Sequence, residues 1–243
     1  MQTLSSIVAL NIQHGGGKRT PALIKWLRIQ NADIVVLSEW RKNPNGLAIE
    51  VALKSSGYDV HSQDGAKSNG VLIAAKEQFK ATPVTPPDAQ IGVLLKARWE
   101  GGLTVIGAYL PLAIPAQRRF LDVCMEQARQ HSDAPFLLVG DLNTGRNDVD
   151  LDDGATPFPC ATDFVALTSG GLIDQWRLQH GMTAREYTWR SRQNGFRIDH
   201  ALGNTEFQTR YAPLSCDYDD STRESKLNKL SDHSALILRL ASS

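Results

Sequence analysis

The sequence predicts an α/β fold of two packed mixed β-sheets flanked by helices, a four-layer sandwich. Three observations carry this. Short apolar, β-rich runs are spread over the whole chain. About four helical patterns lie between them rather than after them. A block of consecutive strands, 58–109, sits between segments that alternate strand with helix.

Composition sets the frame. The 243 residues include 26 basic and 26 acidic side chains, a formal net charge of zero, with 42% hydrophobic and 21% charged residues. That is an ordinary globular composition, and a chain this long folds without a metal or disulfide staple. One domain over 1–243 is expected. The best candidate linker, 144–160, lies between strands that resemble halves of one core. No apolar run approaches the roughly 18 residues of a membrane span. The first residues lack a basic stretch followed by an apolar core, so no secretory signal is expected. Cys124, Cys160 and Cys216 are odd in number and form no C-x-x-C pattern. They argue for a reducing, cytoplasmic setting and against zinc. Neutral charge excludes a strongly basic nucleic-acid protein but leaves room for a local basic groove.

In chain order, Ser6 to Ile12 reads as the first strand, followed by a Gly15-Gly16-Gly17 turn. Thr20 reads as an N-cap with Pro21 at the first helical position, and Leu23, Ile24 and Leu27 form one apolar face. Ile34–Leu37 suits a strand buried on both sides. A helix is expected over Leu47 to Ser55, ended by Gly57. Strands follow at Tyr58 to Ser62, Gly70 to Ala75, Ala81 to Thr85, Gly92 to Trp99 and Thr104 to Tyr109. Gly, Pro and Asp punctuate them. Pro115 opens a helix that runs to Gln130, with Phe120, Leu121, Cys124 and Ala128 at helical spacing. A buried strand occupies 135–140. The acidic stretch 146–159 reads as a surface loop. Two short helices follow, then strands near Glu186 to Arg190, Phe196 to Leu202 and Ala235 to Leu240.

Acids and amides fall at the ends of these strands. Asn11 closes the first, Glu39 closes IVVLSE, and Asp141 and Asn143 close FLLVGDLN. Asp199 lies within GFRIDHAL, and Asp232-His233 precede the last strand. Singly, such residues often start turns. Converging in a sheet, they would repel one another without a cation. Oxygen ligands of this kind suit Mg²⁺ or Mn²⁺.

Asn11, the LSE ending at Glu39, the AYLP ending at Pro111, GDLN at 140–143, RID at 197–199 and SDH at 231–233 occur in a telling order and spacing. In these the chain resembles the endonuclease/exonuclease/phosphatase superfamily, and within it the exonuclease III-type apurinic/apyrimidinic (AP) endonucleases, from Ile7 to Leu238. The resemblance implies a DNase I-like sandwich and Mg²⁺-dependent phosphodiester hydrolysis, with Mn²⁺ as a substitute. It implies Glu39 as principal metal ligand, with Asn11 and Asp232 as close or water-mediated ligands. Asp141 would bind metal or activate the attacking water, and Asn143 would hold that water or a phosphate oxygen. His233 would be the central imidazole, with Asp199 fixing its tautomer. Tyr109 would donate to the developing phosphorane charge.

EYTW at 186–189 and GFRIDH at 195–200 resemble the segments that form the abasic-sugar pocket, placing Trp189 and Phe196 as its aromatic walls. Basic residues near the site loops, among them Arg41 and Arg197, would contact a DNA backbone. Lys18, Arg19, Lys42, Arg190, Arg192, Arg223, Lys226 and Lys229 complete that set. The implied partner is duplex DNA, with abasic sites or 3′ ends as targets and a monomer as the acting form. Strand alternation turns His200 away from Asp199. His14 follows Asn11 closely enough to touch substrate.

Three positions depart from the resemblance. Gln13 stands in place of Asn or Asp, Arg41 in place of lysine, and Leu112 in place of an asparagine that contacts phosphate. The loop at 112–118 is also short. A second reading is therefore a phosphatase or phosphodiesterase for a small-molecule or lipid phosphoester. A binding module without catalysis is opposed by the intact set Glu39, Asp141, Asn143, Asp199, Asp232 and His233.

Overall fold

A computed structural model describes residues 4–64, 69–225 and 229–241. The strands are β1 (Ser6–Asn11), β2 (Ile34–Trp40), β3 (Asp59–Gln63), β4 (Gly70–Ala75), β5 (Lys80–Pro83), β6 (Val93–Arg98) and β7 (Thr104–Tyr109). They continue with β8 (Phe136–Asp141), β9 (Ile173–Asp174), β10 (Trp189–Arg190), β11 (Gly195–Phe196), β12 (Asp199–Gly203), β13 (Pro213–Asp219) and β14 (Ala235–Leu240). The helices are α1 (Thr20–Gln30), α2 (Pro44–Ser55), α3 (Ile114–Gln130), α4 (Ala161–Ser169), α5 (Gln175–His180), α6 (Thr205–Tyr211) and α7 (Ser221–Glu224).

Burial along β1, β4 and β8 is continuous, which a strand achieves only when both faces are covered. One sheet has the order β13-β14-β1-β2-β4-β3, the other β5-β6-β7-β8-β12-β9, and β10-β11 form a separate hairpin. Both six-stranded sheets are mixed: β1–β2 and β7–β8 are parallel, their other pairs antiparallel. Side chains alternate between two environments. Ile7, Val36 and Ile73 of the first sheet meet Val105 and Val139 of the second in the central core. Val8, Leu10 and Leu37 turn outward to Leu23, Trp26 and Ile49 of α1 and α2. Ile106 and Leu138 turn outward to Phe120, Leu121 and Phe164 of α3 and α4. This is the predicted four-layer arrangement. The sheets approach closely at Gly107, where a Cβ would stand 2.9–3.1 Å from Val36, Val71 and Ile73.

Several elements differ from expectation for identifiable reasons. Thr20 is the first residue of α1 rather than its cap. Its hydroxyl donates to Gly17 O at 2.8 Å because a 3-10 turn, Gly17–Arg19, leads into the helix. Helix α2 starts at Pro44, with Asn43 capping Asn45 N and Gly46 N, a cap-plus-proline signal that lies upstream of the first apolar residue. Strand β13 pairs along the edge with a mixed, largely polar sequence that hides it from an apolar scan. Helices α6 and α7 lie in segments where no element was expected. No helix among the described residues is long and apolar enough to cross a membrane.

The acidic stretch 146–159 is anchored inside. Asp150 is fully buried; its Oδ1 accepts from Arg197 Nε at 2.6 Å and from Arg177 Nη2. Arg197 Nη2 donates to Asp174 Oδ2 at 2.6 Å, and Asp174 also caps α5 through Trp176 N and Arg177 N. Arg197 is therefore not a substrate contact. It is 0% exposed and holds two buried carboxylates, each kept below the ordinary carboxylate range because these cations outweigh the cost of burial. Arg223 is likewise withdrawn from any basic groove, buried against Ser234 Oγ at 2.9 Å and Asp220 Oδ1 at 3.0 Å. Lys226 lies outside the described residues. Removing one partner from a buried ion network costs about 3–5 kcal/mol. Arg197→Met is expected to lower unfolding stability by that amount, measured as a shift in urea midpoint. A change below about 1 kcal/mol, typical of an exposed arginine, would contradict the burial.

Candidate active site

Strand register brings the site together. Tyr109, Asp141 and Asp199 are lateral partners across β7, β8 and β12, forming one row at the end of the second sheet. The first sheet contributes Asn11 from the end of β1 and Glu39 from β2. The β2–β4 register shifts between Ser38 and Trp40, and Glu39 takes a left-handed φ of 56°. That irregularity re-aims the carboxylate, as bulges beside sites do. Asp232 and His233 arrive on the turn before β14, where His233 bridges Trp189.

Hydrogen bonds lock these groups across the two sheets. Asn11 Nδ2 donates to Asp141 Oδ2 at 2.9 Å and to Glu39 Oε1 at 3.2 Å. Its Oδ1 accepts from Gln13 N at 2.9 Å, so Asn11, expected as a ligand, acts here as a tie between carboxylates. His233 Nδ1 lies 2.8 Å from Asp199 Oδ2, the predicted pairing. The backbone N of Asn143 donates to Asp141 Oδ1 at 3.0 Å, and Asn143 Nδ2 donates to Leu110 O at 2.8 Å. One of that amide's two donors is thus engaged with the backbone. Asp232 Oδ2 accepts from Trp189 Nε1 at 3.2 Å. His200 faces the opposite way, as alternation required, with Nε2 2.9 Å from Thr144 O.

Burial and convergent charge reshape the titrations. Burial, then the negative charge of Asp199, raise Asp141 to about 7. For His233, burial disfavours the charged ring, but the Asp199 charge and hydrogen bond, with Asp141 and Asp232 behind them, outweigh it and raise the ring to about 9. Burial and the charge on Glu39 push the Tyr109 phenol well up, so it keeps its proton at neutral pH.

A cation fits this donor set. Asp141, Asp199 and His233 each present a ligand atom, all within 4.8 Å of one another. Glu39 and Asp232 border the same cleft.

The cleft holds about 420 Å³. Glu39, Asp141, Asp232 and His233 lie on its polar side; Leu112, Phe158, Trp189 and Phe196 form its apolar side. Trp189 and Phe196 are cross-strand partners in the β10–β11 hairpin with ring centroids 5.8 Å apart. Phe158 meets Phe196 edge-on at 5.8 Å. Phe158 went unrecognised because its segment reads as a polar loop; the TPFP run within it was the available signal. Arg41 sits by the cleft, its Nε donating to Asn69 Oδ1 at 2.6 Å. Asn69 Nδ2 in turn donates to Tyr109 OH at 3.3 Å, a contact no motif indicated.

Both raised groups mean that the native metal-free state binds more protons than the unfolded chain, so stability falls as pH rises. The Asp141 share is lost from its ordinary 3.8 up through about 7. The His233 share is lost from its ordinary 6.5 up through about 9. Urea denaturation of chelator-treated protein between pH 5 and 9 should show this decline, and Asp199→Asn should flatten it. Stability that climbs across this window would contradict the charge arrangement.

A family model described as Endonuclease/Exonuclease/phosphatase family matches residues 8–233. Among solved structures, an AP endonuclease from Archaeoglobus fulgidus superposes with a TM-score of 0.80 at 21% identity, over 96% of this chain and 98% of that one. A 3′ phosphatase from Neisseria, NExo, bound to a product DNA hairpin, gives 0.81 at 21% identity, over 98% and 99%. The 3′-5′ exonuclease NExo from Neisseria meningitidis gives 0.78 at 21% identity, over 97% and 99%. At this identity the likeness to the structures is one of fold. With the family match spanning nearly all of it, the chain belongs to the endonuclease/exonuclease/phosphatase family, hydrolases acting on phosphoester bonds.

Proposed function

We propose that residues 1–243 form one catalytic domain that hydrolyses DNA phosphodiesters, at abasic sites and at 3′ ends, with Mg²⁺ or Mn²⁺ bound. The observation that carries this reading is the Asp199–His233 pair beside Asp141, at a cleft whose opposite wall is aromatic. Apolar walls suit a deoxyribose without a base. Two proteins of similar fold, an AP endonuclease and a 3′ phosphatase bound to a DNA hairpin, support the same substrate class.

Each residue has a role its contacts permit. Glu39, Asp141 and Asp232 would hold the cation, with Asn11 fixing the first two. Asp199 and His233, whose ligand atoms also lie within 4.8 Å of that of Asp141, are paired with each other and face the phosphate instead. When bound, the ion neutralises phosphate charge and favours departure of the leaving oxygen. His233 uses Nδ1 for Asp199, which leaves Nε2 to donate to a phosphate oxygen. Asp141, oriented by Asn11 Nδ2 and the Asn143 N–H, takes the proton of the attacking water. Tyr109 OH donates a hydrogen bond to the charge that develops on phosphorus oxygens. Arg41 steers the phosphate backbone from the cleft margin.

A second reading, a phosphohydrolase for small or lipid phosphoesters, is favoured by Leu112, 75% exposed at the cleft, and by the burial of Arg197 and Arg223. Purified protein assayed on matched normal, abasic and 3′-blocked duplexes, with and without Mg²⁺, separates the two. The DNA reading expects cation-dependent cleavage of the abasic and 3′-blocked duplexes. Faster turnover of soluble phosphoesters, with the duplexes left intact, selects the second. His233→Ala should lower turnover on the order of 10²–10⁴-fold.

The aromatic wall makes a separate prediction. Phe196→Ala should reduce the abasic-to-intact rate ratio by about one to two decades, the equivalent of roughly 1–3 kcal/mol of stacking-type contact. The melting temperature should be nearly unchanged. A large fall in melting temperature with an unchanged ratio would return Phe196 to the core.

A further inference from the structure

Gln13 and Arg19 meet at the glycine-rich turn after β1. Gln13, His14, Gly15, Gly16 and Gly17 there have φ of 50°, 55°, 75°, 79° and 51°. Glycine adopts such conformations freely, but Gln13 and His14 do so at a cost. The turn therefore needs contacts that hold it. It in turn holds Glu39. Gly15 N donates to Glu39 O at 2.9 Å, and His14 N donates to Glu39 Oε2 at 2.7 Å. Asn11 Nδ2 engages the other carboxylate oxygen, Oε1, at 3.2 Å, so the turn supplies the second restraint on this side chain.

One guanidinium spans the turn. Arg19 Nε donates to Gly16 O at 3.0 Å, and Arg19 Nη2 donates to Gln13 O at 2.6 Å and to Ile12 O at 3.2 Å. Arg19 Nη1 donates to Gln13 Oε1. A planar fork can serve several acceptors from one side chain, and here most of it is spent on the turn rather than left for a phosphate backbone. The glutamine at position 13 suits this contact. Asparagine or aspartate, one methylene shorter, would stop short of Nη1. An aspartate would also add negative charge to a cleft wall already lined by Glu39 and Asp232. The Arg19 charge lies within electrostatic reach of both those carboxylates.

We propose that Arg19 is a positioning residue for the cation site: together with Gln13 it clamps the 13–17 turn and so presets the Glu39 carboxylate. The proposal rests on Glu39's being a metal ligand, but not on which phosphoester is cleaved. Charge and positioning act here with opposite signs. A guanidinium near the site repels an incoming metal ion, so loss of its charge alone would tighten metal binding. Loss of the clamp would loosen it. Lysine separates the two, because it keeps the charge but lacks the planar fork.

The test follows Mn²⁺ binding to the full, metal-stripped chain by electron paramagnetic resonance, with melting temperature as the check on folding. Arg19→Ala and Arg19→Lys should each weaken Mn²⁺ affinity by at least about tenfold, as loss of a group that orients a metal ligand does. Guanidinium ion at a non-denaturing concentration should restore much of the affinity of Arg19→Ala. General stabilisation cannot explain such a recovery, because guanidinium weakens folded proteins. Gln13→Asn keeps a residue that tolerates left-handed backbone and loses only the Nη1 contact. It should weaken binding less, in the same direction, and it decides the matter if the Arg19 variants fail to fold. Tighter binding by Arg19→Ala, or unchanged affinity in Arg19→Lys, overturns the clamp while leaving the metal centre standing. Unchanged Mn²⁺ affinity with a raised KM for DNA also overturns it and returns Arg19 to the phosphate backbone. Failure of the wild-type chain to bind Mn²⁺ overturns the metal centre and the clamp together.

Discussion

Asp141 and Asp199 face one another as lateral partners on neighbouring strands, and both are nearly dry. Like charges directly opposite on a sheet repel, and burial strengthens the repulsion. Much of the site's local structure answers that conflict. Asn11 reaches from the first sheet to donate to Asp141; Asn143 donates a backbone N–H to its other oxygen; His233 sets an imidazole against Asp199. These contacts moderate the charge, while burial, then the Asp199 charge, still push the Asp141 carboxyl up. They also join the two sheets at the ends where their functional residues converge.

Precision here comes from backbone that departs from regular structure at chosen points. Four of the six left-handed non-glycine residues among those described, Gln13, His14, Glu39 and Asn143, border the cleft. Such conformations persist only where surrounding contacts over-determine them. Regular strands supply those contacts on one side. On the other, the Asp150–Arg197–Asp174 network holds the 146–159 segment and the strand leading to Asp199. Arg197 lies between Phe196 and Ile198, which both line the cleft, so the ion network sits directly behind the aromatic wall.

The fold was legible in the sequence where burial is two-sided. Gly70–Ala75 and Thr104–Tyr109 appear at the predicted bounds because nearly continuous apolar runs mark them. Strand β13 was not legible, because an edge strand with exposed positions carries no such run. In the site, the strand-end acids and amides pointed to Asn11, Glu39, Asp141, Asp199 and His233, and register brings them together. Arg197 was misassigned because a sequence cannot show that a cation beside a motif faces inward to Asp150 and Asp174. Phe158 and Asn69 were missed for a related reason. Each reaches the site through a loop or a side-chain relay rather than through a strand end.

On this reading the cluster carries excess negative charge that a divalent cation neutralises, and protons stand in for the cation when it is absent. Thermal unfolding measured with Mn²⁺ and with chelator, across pH 6 to 9, puts that to the test. A ligand at 100 times its dissociation constant stabilises by about 2.7 kcal/mol. The expected outcome is a higher melting temperature with the ion, a gap that widens as pH rises and protons leave Asp141 and His233, and a reduced gap in Asp141→Asn. Melting curves that coincide with and without the ion throughout that range would refute it.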